Sequence, residues 1–100
     1  MKITEVTVLE QAGWDIEEGR AFYAANGQHI GDYFFDSIIS DIESLYFYAG
    51  IHAKHFGLYR MLSKRFPFAI YYDVVDSTAM VIAVLDTRRN PAWIQKKLTQ

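Results

Sequence analysis

Residues 65–86 read RFPFAIYYDVVDSTAMVIAVLD, and two strand patterns in this segment decide the fold. Apolar side chains alternate along the first half, which is typical of a half-buried strand, so a strand is predicted at residues 65–75. The alternating residues are Phe66, Phe68, Ile70, Tyr72 and Val74. Asp76 and Ser77 favour a turn, and a further strand is predicted at residues 78–86. The segment therefore predicts an antiparallel pair.

The strand at residues 78–86 is apolar on both faces. Strict alternation assigns Met80, Ile82 and Val84 to one face, and Val81, Ala83 and Leu85 to the other. A strand that is covered on both faces usually lies inside its sheet rather than at an edge. We therefore expect this strand to be central.

Two helices are predicted before the strand pair, at residues 12–25 and 30–48, because apolar residues recur there at spacings of three and four. The apolar stripes are Ala12, Ile16 and Tyr23 in the first helix, and Phe34, Ile38, Ile42 and Leu45 in the second. Asn26 and Gly27 tolerate the left-handed conformation that ends helices, so the two helices form an antiparallel hairpin.

Asp15, Glu17 and Glu18 lie near the start of the first helix, where negative charge complements the helix dipole. In the second helix, the acidic residues lie off the apolar stripe; they are Asp36, Asp41 and Glu43.

Strands are also predicted at residues 2–9 and 55–64, with a loop at residues 49–54 and a short helical tail at residues 92–98. The order β-α-α-β-β-β predicts an α+β fold, in which the helical hairpin packs on one face of a mainly antiparallel four-stranded sheet. The chain of 100 residues suits one domain, residues 1–100. If the hairpin covers one face, the other face is available for binding.

Charge is divided unevenly along the chain. Residues 1–50 carry two bases and nine acids, a net charge of −7, whereas residues 51–100 carry eight bases and three acids, a net charge of +5. A basic half attracts an anionic partner, either nucleic acid or an acidic protein segment. The alternative is that two elements have differently charged solvent faces.

Composition excludes several classes of site. The chain has no cysteine, which rules out disulfides and thiolate metal sites. His52 and His55 have no third metal ligand near them in the sequence, so we predict no metal site. The uncharged runs are too short to cross a bilayer, and the N-terminus lacks an apolar signal stretch. A cytoplasmic protein without a cofactor is expected.

The C-terminal half resembles the RelE/ParE toxin superfamily, and its ParE-like branch in particular. The run Arg65-Phe66-Pro67-Phe68-Ala69-Ile70-Tyr71-Tyr72 is similar to the Arg-Phe-Pro-Tyr/Phe-x-Ile-x-Tyr strand of that branch. The run Ala83-Val84-Leu85-Asp86-Thr87-Arg88-Arg89-Asn90-Pro91-Ala92-Trp93 is similar to its closing motif. Tyr59-Arg60 lies where the family has an arginine opening the preceding strand, and Ala12-Gly13-Trp14-Asp15-Ile16 resembles the opening of its first helix.

The resemblance implies the toxin of a type II toxin–antitoxin pair, in a family that includes plasmid stabilisation proteins. It implies a cognate antitoxin, oligomers formed through that antitoxin, and a target such as DNA gyrase or the ribosome. Two departures bear on the mechanism. Asp86 replaces the histidine of the closing motif, and Ala69 stands where the ribosome-dependent ribonucleases carry an arginine.

Both departures count against RNA cleavage. An aspartate exchanges protons poorly near neutral pH, and an alanine cannot stabilise the charge that develops on a cleaved phosphate. The sequence therefore favours a toxin that acts by binding and has no assigned catalytic residue. The alternatives are a ribosome-dependent endoribonuclease and a non-toxic module that retains only antitoxin binding.

Seven residues are the candidates for contact with the target or the antitoxin. They are Arg60, Arg65, Tyr72, Asp86, Arg88, Arg89 and Trp93. Arginine suits this role because its guanidinium grips carboxylate or phosphate with two hydrogen bonds. The alternatives are that the basic residues form a solvated sheet edge that resists aggregation, and that Trp93 only pins the tail to the sheet.

Overall fold

The structure is a computed structural model that describes residues 2–99, so the first and last residues of the expected domain lie outside the described part. The order of elements is β-α-α-α-β-β-β-β-α. Their bounds are β1 (Glu5–Val8), α1 (Glu10–Ala24), α2 (Gln28–Glu43), α3 (Leu45–Tyr48), β2 (Lys54–His55), β3 (Leu58–Leu62), β4 (Phe68–Val75), β5 (Thr78–Asp86) and α4 (Pro91–Leu98). No helix within residues 2–99 combines the length and apolar character that crossing a membrane requires.

The sheet has five strands in the order β1-β5-β4-β3-β2. Strand β1 runs parallel to β5, and the other neighbours are antiparallel. The α+β class and the mainly antiparallel sheet are confirmed, as is the central position of β5 between β1 and β4. The expected count of four strands is wrong by one short strand.

The additional strand arises from a turn that the sequence analysis missed. Phe56 and Gly57 both have positive φ, 55° and 82°, which is the backbone of a two-residue hairpin turn. The strand expected at residues 55–64 is therefore divided into β2 and β3, which pair through Lys54–Tyr59 and His55–Leu58.

The helical hairpin is confirmed, with shifted boundaries. Helix α1 starts two residues earlier than predicted, at Glu10, and the chain turns at Gly27, where φ is 132°. The second predicted helix is divided at Ser44, whose hydroxyl donates to the carbonyl of Asp41 at 2.6 Å. Serine that bonds back to the preceding turn bends a helix, which explains the division into α2 and α3. The stripe of the second helix is buried as predicted: Phe34, Ile38, Ile42 and Leu45.

The main core lies between the hairpin and one face of the sheet. Phe68, Ile70 and Tyr72 of β4 enter it, which confirms the predicted alternation. In β5 the predicted alternation is wrong, because Val81 and Val84 both face the hairpin. The register explains the difference: Tyr71 pairs with Ala83 and Tyr72 with Val81, so Ile82 is an extra, bulged residue.

The other face of the sheet is not free, contrary to expectation. Helix α4 covers part of it and places Ile94 in a second apolar cluster with Ala69, Tyr71, Ala83 and Leu85. Trp93 and Leu98 pack against the same cluster. Trp93 therefore helps to hold the tail on the sheet, as one of the two sequence-based alternatives proposed.

Asp41 is buried, although the sequence placed it off the apolar stripe. Its carboxylate accepts a hydrogen bond from the hydroxyl of Ser63 at 2.8 Å and from the backbone N–H of Lys64 at 3.4 Å. The contact ties α2 to the turn between β3 and β4, and the polar group is buried with its partners satisfied.

Two glycines of α1 predict opposite effects of the same substitution. A Cβ at Gly13 would meet no atom within 4 Å beyond the adjacent residues and the helix's own backbone, so Gly13→Ala should raise the free energy of unfolding by about 0.5–1 kcal/mol through helix propensity. A Cβ at Gly19 would lie 2.6 Å from the Phe34 ring, which is packed against Tyr23, Phe66 and Phe68. Gly19→Ala should therefore lower the free energy of unfolding, by about 1–3 kcal/mol.

Urea denaturation of the two variants and the parent protein measures both effects. Equal stability of Gly19→Ala and Gly13→Ala would contradict the close packing of the Phe34 ring over Gly19.

Candidate functional site

The candidate site lies where β5 ends and α4 begins, because four of the seven candidate residues fall in this short segment. Asn90 caps α4 by accepting a hydrogen bond from the N–H of Ala92 at 2.7 Å, and Pro91 occupies the first turn. Ile94 anchors the helix on the second apolar cluster. This anchoring fixes α4 next to the end of β5.

Asp86 and Arg88 form a forked ion pair. The guanidinium donates from Nε to Oδ1 at 3.0 Å and from Nη2 to Oδ2 at 2.7 Å. The backbone N–H of Arg88 also donates to Oδ1 at 2.8 Å, so Asp86 accepts three hydrogen bonds from a single residue. The pair fixes the turn that leads into α4.

The same pair decides the protonation state of Asp86. The hydrogen bonds and charge of Arg88 lower the pKa of this carboxyl below its ordinary value of 3.8. Asp86 is therefore ionised at neutral pH and holds no proton to donate. Asp86 is thus a structural anion for Arg88.

Arg89 and Lys97 both lie against the indole ring of Trp93. The guanidinium carbon of Arg89 is 4.2 Å from the ring centroid, and the Nζ of Lys97 is 5.7 Å from it. Within residues 2–99, neither cation belongs to an ion pair. We call these three residues the cation–indole cluster; it presents two positive charges that are available to an anionic group.

The cation–indole cluster borders a cleft of about 210 Å³ between α1, the end of β5 and α4. Asp15 and Glu18 of α1 line the opposite wall, while Phe68, Val84 and Leu85 lie at the sheet side. The cleft thus has Arg89 and Lys97 on one wall and two carboxylates on the other, and the carboxylate of Asp86 lines it at the end of β5.

Asp15 joins the cleft to the sheet. This buried carboxylate accepts a hydrogen bond from the backbone N–H of Val84 at 3.0 Å and from the side-chain amide of Gln11 at 3.2 Å. Burial raises the pKa of Asp15 above its ordinary value of 3.8, although the Val84 and Gln11 hydrogen bonds and the charge of Lys97 act in the opposite direction.

Sequence reasoning placed Asp15 near the start of α1 as a complement to the helix dipole and did not predict its burial. The signal that could have located it is spacing. Asp15 lies three residues after Ala12 and four before Gly19, on the stripe that faces the sheet, and all three residues are buried. Lys97 was also missed as a member of the site.

Comparison with solved structures identifies the arrangement of elements. A chain from a structure described as the chromosomal ParDE TA system from P. aeruginosa matches with a TM-score of 0.78. The match covers 86% of this chain and 98% of the other chain, at 13% sequence identity. The shared property is the fold. No protein-family model matches the chain, and no curated protein matches it.

The match confirms the fold that the sequence resemblance implied. Within this fold the seven candidate residues lie in separate places. Asp86, Arg88, Arg89 and Trp93 are brought together at the end of β5. Arg65 is exposed in the turn between β3 and β4, at the same end of the sheet, where the N–H of Thr87 donates to the carbonyl of Pro67 at 2.8 Å.

Arg60 lies apart from this group. It pairs with Tyr71 on β4, and Tyr71 pairs with Ala83 on β5, three residues before Asp86. At the spacings of a sheet, Arg60 is about 10 Å away across the strands and about 10 Å away along them. Since paired residues point to the same face, Arg60 lies on the face that carries α4.

Tyr72 is removed from any contact surface, because its side chain is completely buried. Its ring stacks on Tyr59 with centroids 5.1 Å apart, and its hydroxyl accepts a hydrogen bond from the N–H of Gly50 at 2.9 Å and bonds Nδ1 of His52. Tyr72 pins the loop that precedes β2. The adjacent Tyr71 is buried on the other face, so neither tyrosine is available for stacking on a base.

No group of three or more side chains that could hold a metal ion occurs in the part of the chain that the structure describes. His52 is engaged with Tyr72, and burial lowers its pKa below the ordinary value of 6.5. His55 lies in β2, paired with Leu58.

The raised pKa of Asp15 predicts a pH dependence of stability. The folded protein holds the Asp15 proton more tightly than the unfolded chain, so this residue's contribution to the free energy of unfolding falls as pH rises from the ordinary value of 3.8 through the raised value. Asp15→Asn has no charge to bury and keeps an oxygen to accept from Val84. The stability of Asp15→Asn relative to the parent protein should therefore increase with pH across that interval and then level off.

Urea denaturation of both proteins at a series of pH values from acidic to neutral gives this difference directly. A relative stability that declines with rising pH would show that the Val84 and Gln11 hydrogen bonds outweigh burial.

Proposed function

We propose that this protein is the toxin of a type II toxin–antitoxin pair and that a cognate antitoxin neutralises it. The proposal rests on the ParDE-like fold, which the match to a ParDE structure supports over most of both chains. The sequence adds the Arg65–Tyr72 and Ala83–Trp93 motifs, which form β4, the end of β5 and the start of α4. Fold and motifs are independent observations that favour the same family.

The toxin acts by binding and not by catalysis. Asp86 is held as an anion by Arg88 and has no proton to transfer, and Ala69 is buried in the second apolar cluster. General acid–base catalysis requires a group that exchanges a proton near the working pH. The charges that remain available, on Arg89 and Lys97, suit recognition of a carboxylate or phosphate. The target is a large assembly such as DNA gyrase.

The antitoxin contributes an acidic amphipathic segment. The C-terminal half of the chain has a net charge of +5. Arg89 and Lys97 lie against Trp93, and Arg65 is exposed in the turn before β4, whose first residue pairs with Asp86 at the end of β5. An acidic segment that lies along this end, as a helix or as an added strand, would compete with the target for the same cations. Oligomers of the pair form through the antitoxin in the cytoplasm.

The choice of target predicts a cellular phenotype. Controlled expression of the toxin without its antitoxin should induce the DNA-damage response and block chromosome segregation, because a poisoned gyrase leaves broken DNA. Reporter fluorescence and microscopy of stained nucleoids measure the two effects. We expect the antitoxin to be encoded by the gene adjacent to that of the toxin. Co-expression of this gene product should abolish both effects and raise the melting temperature of the co-purified toxin.

Three other outcomes contradict parts of the proposal. Immediate arrest of translation with messages cut in the ribosomal A site would replace gyrase by the ribosome and binding by catalysis. A stable complex with no growth inhibition would leave only an antitoxin-binding module. Failure of the adjacent gene product to form a complex would count against the toxin–antitoxin assignment.

The cation–indole cluster predicts which surface charges toxicity needs. Arg89→Ala combined with Lys97→Ala should reduce growth inhibition strongly and change the free energy of unfolding by about 1 kcal/mol or less, since both residues lie at the surface. The matched control is Lys64→Ala combined with Lys96→Ala, two exposed lysines that lie outside the cluster. The control removes the same charge and should remain toxic.

Growth inhibition and thermal melting are measured for all variants, together with Trp93→Ala. Equal loss of toxicity in both double variants would mean that total charge, and not the cluster, determines target binding.

A further inference from the structure

A second surface lies on the helical hairpin, away from the cleft. A groove of about 420 Å³ runs between the start of α1, the middle of α2 and the end of β1, and we call it the Trp14 groove. Its walls are almost entirely apolar. They comprise Val8, Gly13, Trp14, Ile16, Phe35 and Ile39, with Glu10 and Glu17 at the rim.

The Trp14 groove and the cleft lie on opposite faces of α1. The cleft is lined by residues 15, 18, 19 and 22 of this helix, whereas the groove is lined mainly by residues 10, 13, 14 and 17. With 3.6 residues per turn, the two sets point in opposite directions. A molecule in the groove therefore leaves the cation–indole cluster accessible.

Trp14 marks the groove as a contact surface. Its side chain is 66% exposed, and Val8 beside it is also exposed. Tryptophan, with tyrosine and arginine, is enriched at the energetic centres of protein interfaces, and an apolar surface rimmed by polar groups is typical of such interfaces. Neither the main core nor the second apolar cluster of the described chain includes Trp14.

Gly13 keeps the floor of the groove open. Glycine in a helix interior is destabilising relative to alanine. Apart from the adjacent residues and the backbone of α1 itself, no atom within residues 2–99 lies within 4 Å of the position that a Cβ would take, so no packing contact requires a glycine here. Gly19 differs, because the Phe34 ring fills the space over it. The absent side chain at Gly13 leaves room for a group from outside the chain.

The negative charge at the rim of the Trp14 groove favours a partner that carries positive charge. Glu10 and Glu17 are exposed acids on a half of the chain that has a net charge of −7. Arg20 is the nearby cation on α1, but it lies over Phe35 and is held by Asp32 at 2.8 Å, with Glu17 at 3.8 Å. The groove therefore presents an apolar floor and an acidic rim.

We propose that the Trp14 groove binds a basic amphipathic helix of another protein, with the apolar side of that helix on Trp14 and its Lys and Arg residues beside Glu10 and Glu17. The helix enters the groove as an amphipathic helix enters other hydrophobic grooves, through side chains spaced by three and four residues. Pairing of two copies through this groove would bring like charges together, and anionic lipid would be repelled by the same rim. This inference does not depend on the toxin assignment.

Two synthetic peptides of about 16 residues test the proposal, both with the same leucine spacing. One carries Lys and Arg at its polar positions and the other carries Glu. The full-length protein should bind the basic peptide and not the acidic one, as measured by fluorescence anisotropy and by quenching of tryptophan emission. Affinity for the basic peptide should fall as salt is raised, because exposed charges are screened.

Three variants should each weaken binding of the basic peptide by about tenfold or more. Trp14→Ala removes the apolar anchor, Glu10→Lys with Glu17→Lys reverses the rim, and Gly13→Arg fills the floor. Two matched controls should bind as the parent protein does. Phe47→Ala removes an aromatic side chain that is 85% exposed elsewhere, and Asp36→Lys with Glu43→Lys reverses two exposed acids outside the groove.

The outcome that supports the proposal is selective loss in the three groove variants, with melting temperatures close to that of the parent protein. The proposal is overturned by equal binding of both peptides, by no binding of the basic peptide at about millimolar concentration, or by equal losses in the controls. Self-association of the parent protein that Trp14→Ala abolishes would also overturn it, in favour of a second copy as the occupant.

Discussion

The hydrogen bonds of β5 change partner midway along the strand, and the position of the candidate site follows from this change. Strand β1 has four residues and pairs with Thr78–Val81, whereas β4 accompanies β5 to Asp86. Beyond Val81 one edge of β5 has no strand beside it. Buried backbone groups need partners, and Asp15 supplies one by accepting from the N–H of Val84. The space that a longer β1 would occupy is bounded instead by α1 and α4, and it forms the cleft.

Most of the fold could be predicted from periodicity, because the stripes of α1 and α2 and the alternation of β4 each distinguish a buried face from an exposed one. In β5 every residue of the run is apolar, so no pattern revealed the bulge at Ile82 that reverses the faces. The turn at Phe56-Gly57 contains only one residue typical of turns, which explains why β2 was missed. The burial of Asp15 and Asp41 was not predicted, because acids are usually exposed.

The candidate site also contains some residues that the sequence could predict and others that it could not. Asp86, Arg88, Arg89 and Trp93 are close in the sequence, and their proximity in space required only that a turn join β5 to α4. The burial of Tyr72 and the position of Lys97 against Trp93 depend on which faces of the sheet the hairpin and α4 occupy. Counting charged residues in the sequence also overestimated the positive charge at this end of the sheet. Arg88 is neutralised by Asp86, so the effective charge of this end of the sheet resides in fewer residues than the sequence suggests.

The parallel pairing of β1 with β5 has a consequence for the synthesis of the protein. Strand β1 ends at Val8 and its partner begins at Thr78, so about 70 residues separate them, or roughly 4–14 s of translation at typical rates. In the later part of this interval, after α1 and α2 have been made, the apolar stripe of the hairpin has no complete sheet to cover, and such exposed apolar surface favours aggregation. The domain closes only when β5 has emerged, because this strand supplies the neighbour of β1 and that of β4. A partner that recognises the assembled sheet therefore meets only chains on which synthesis has already passed β5.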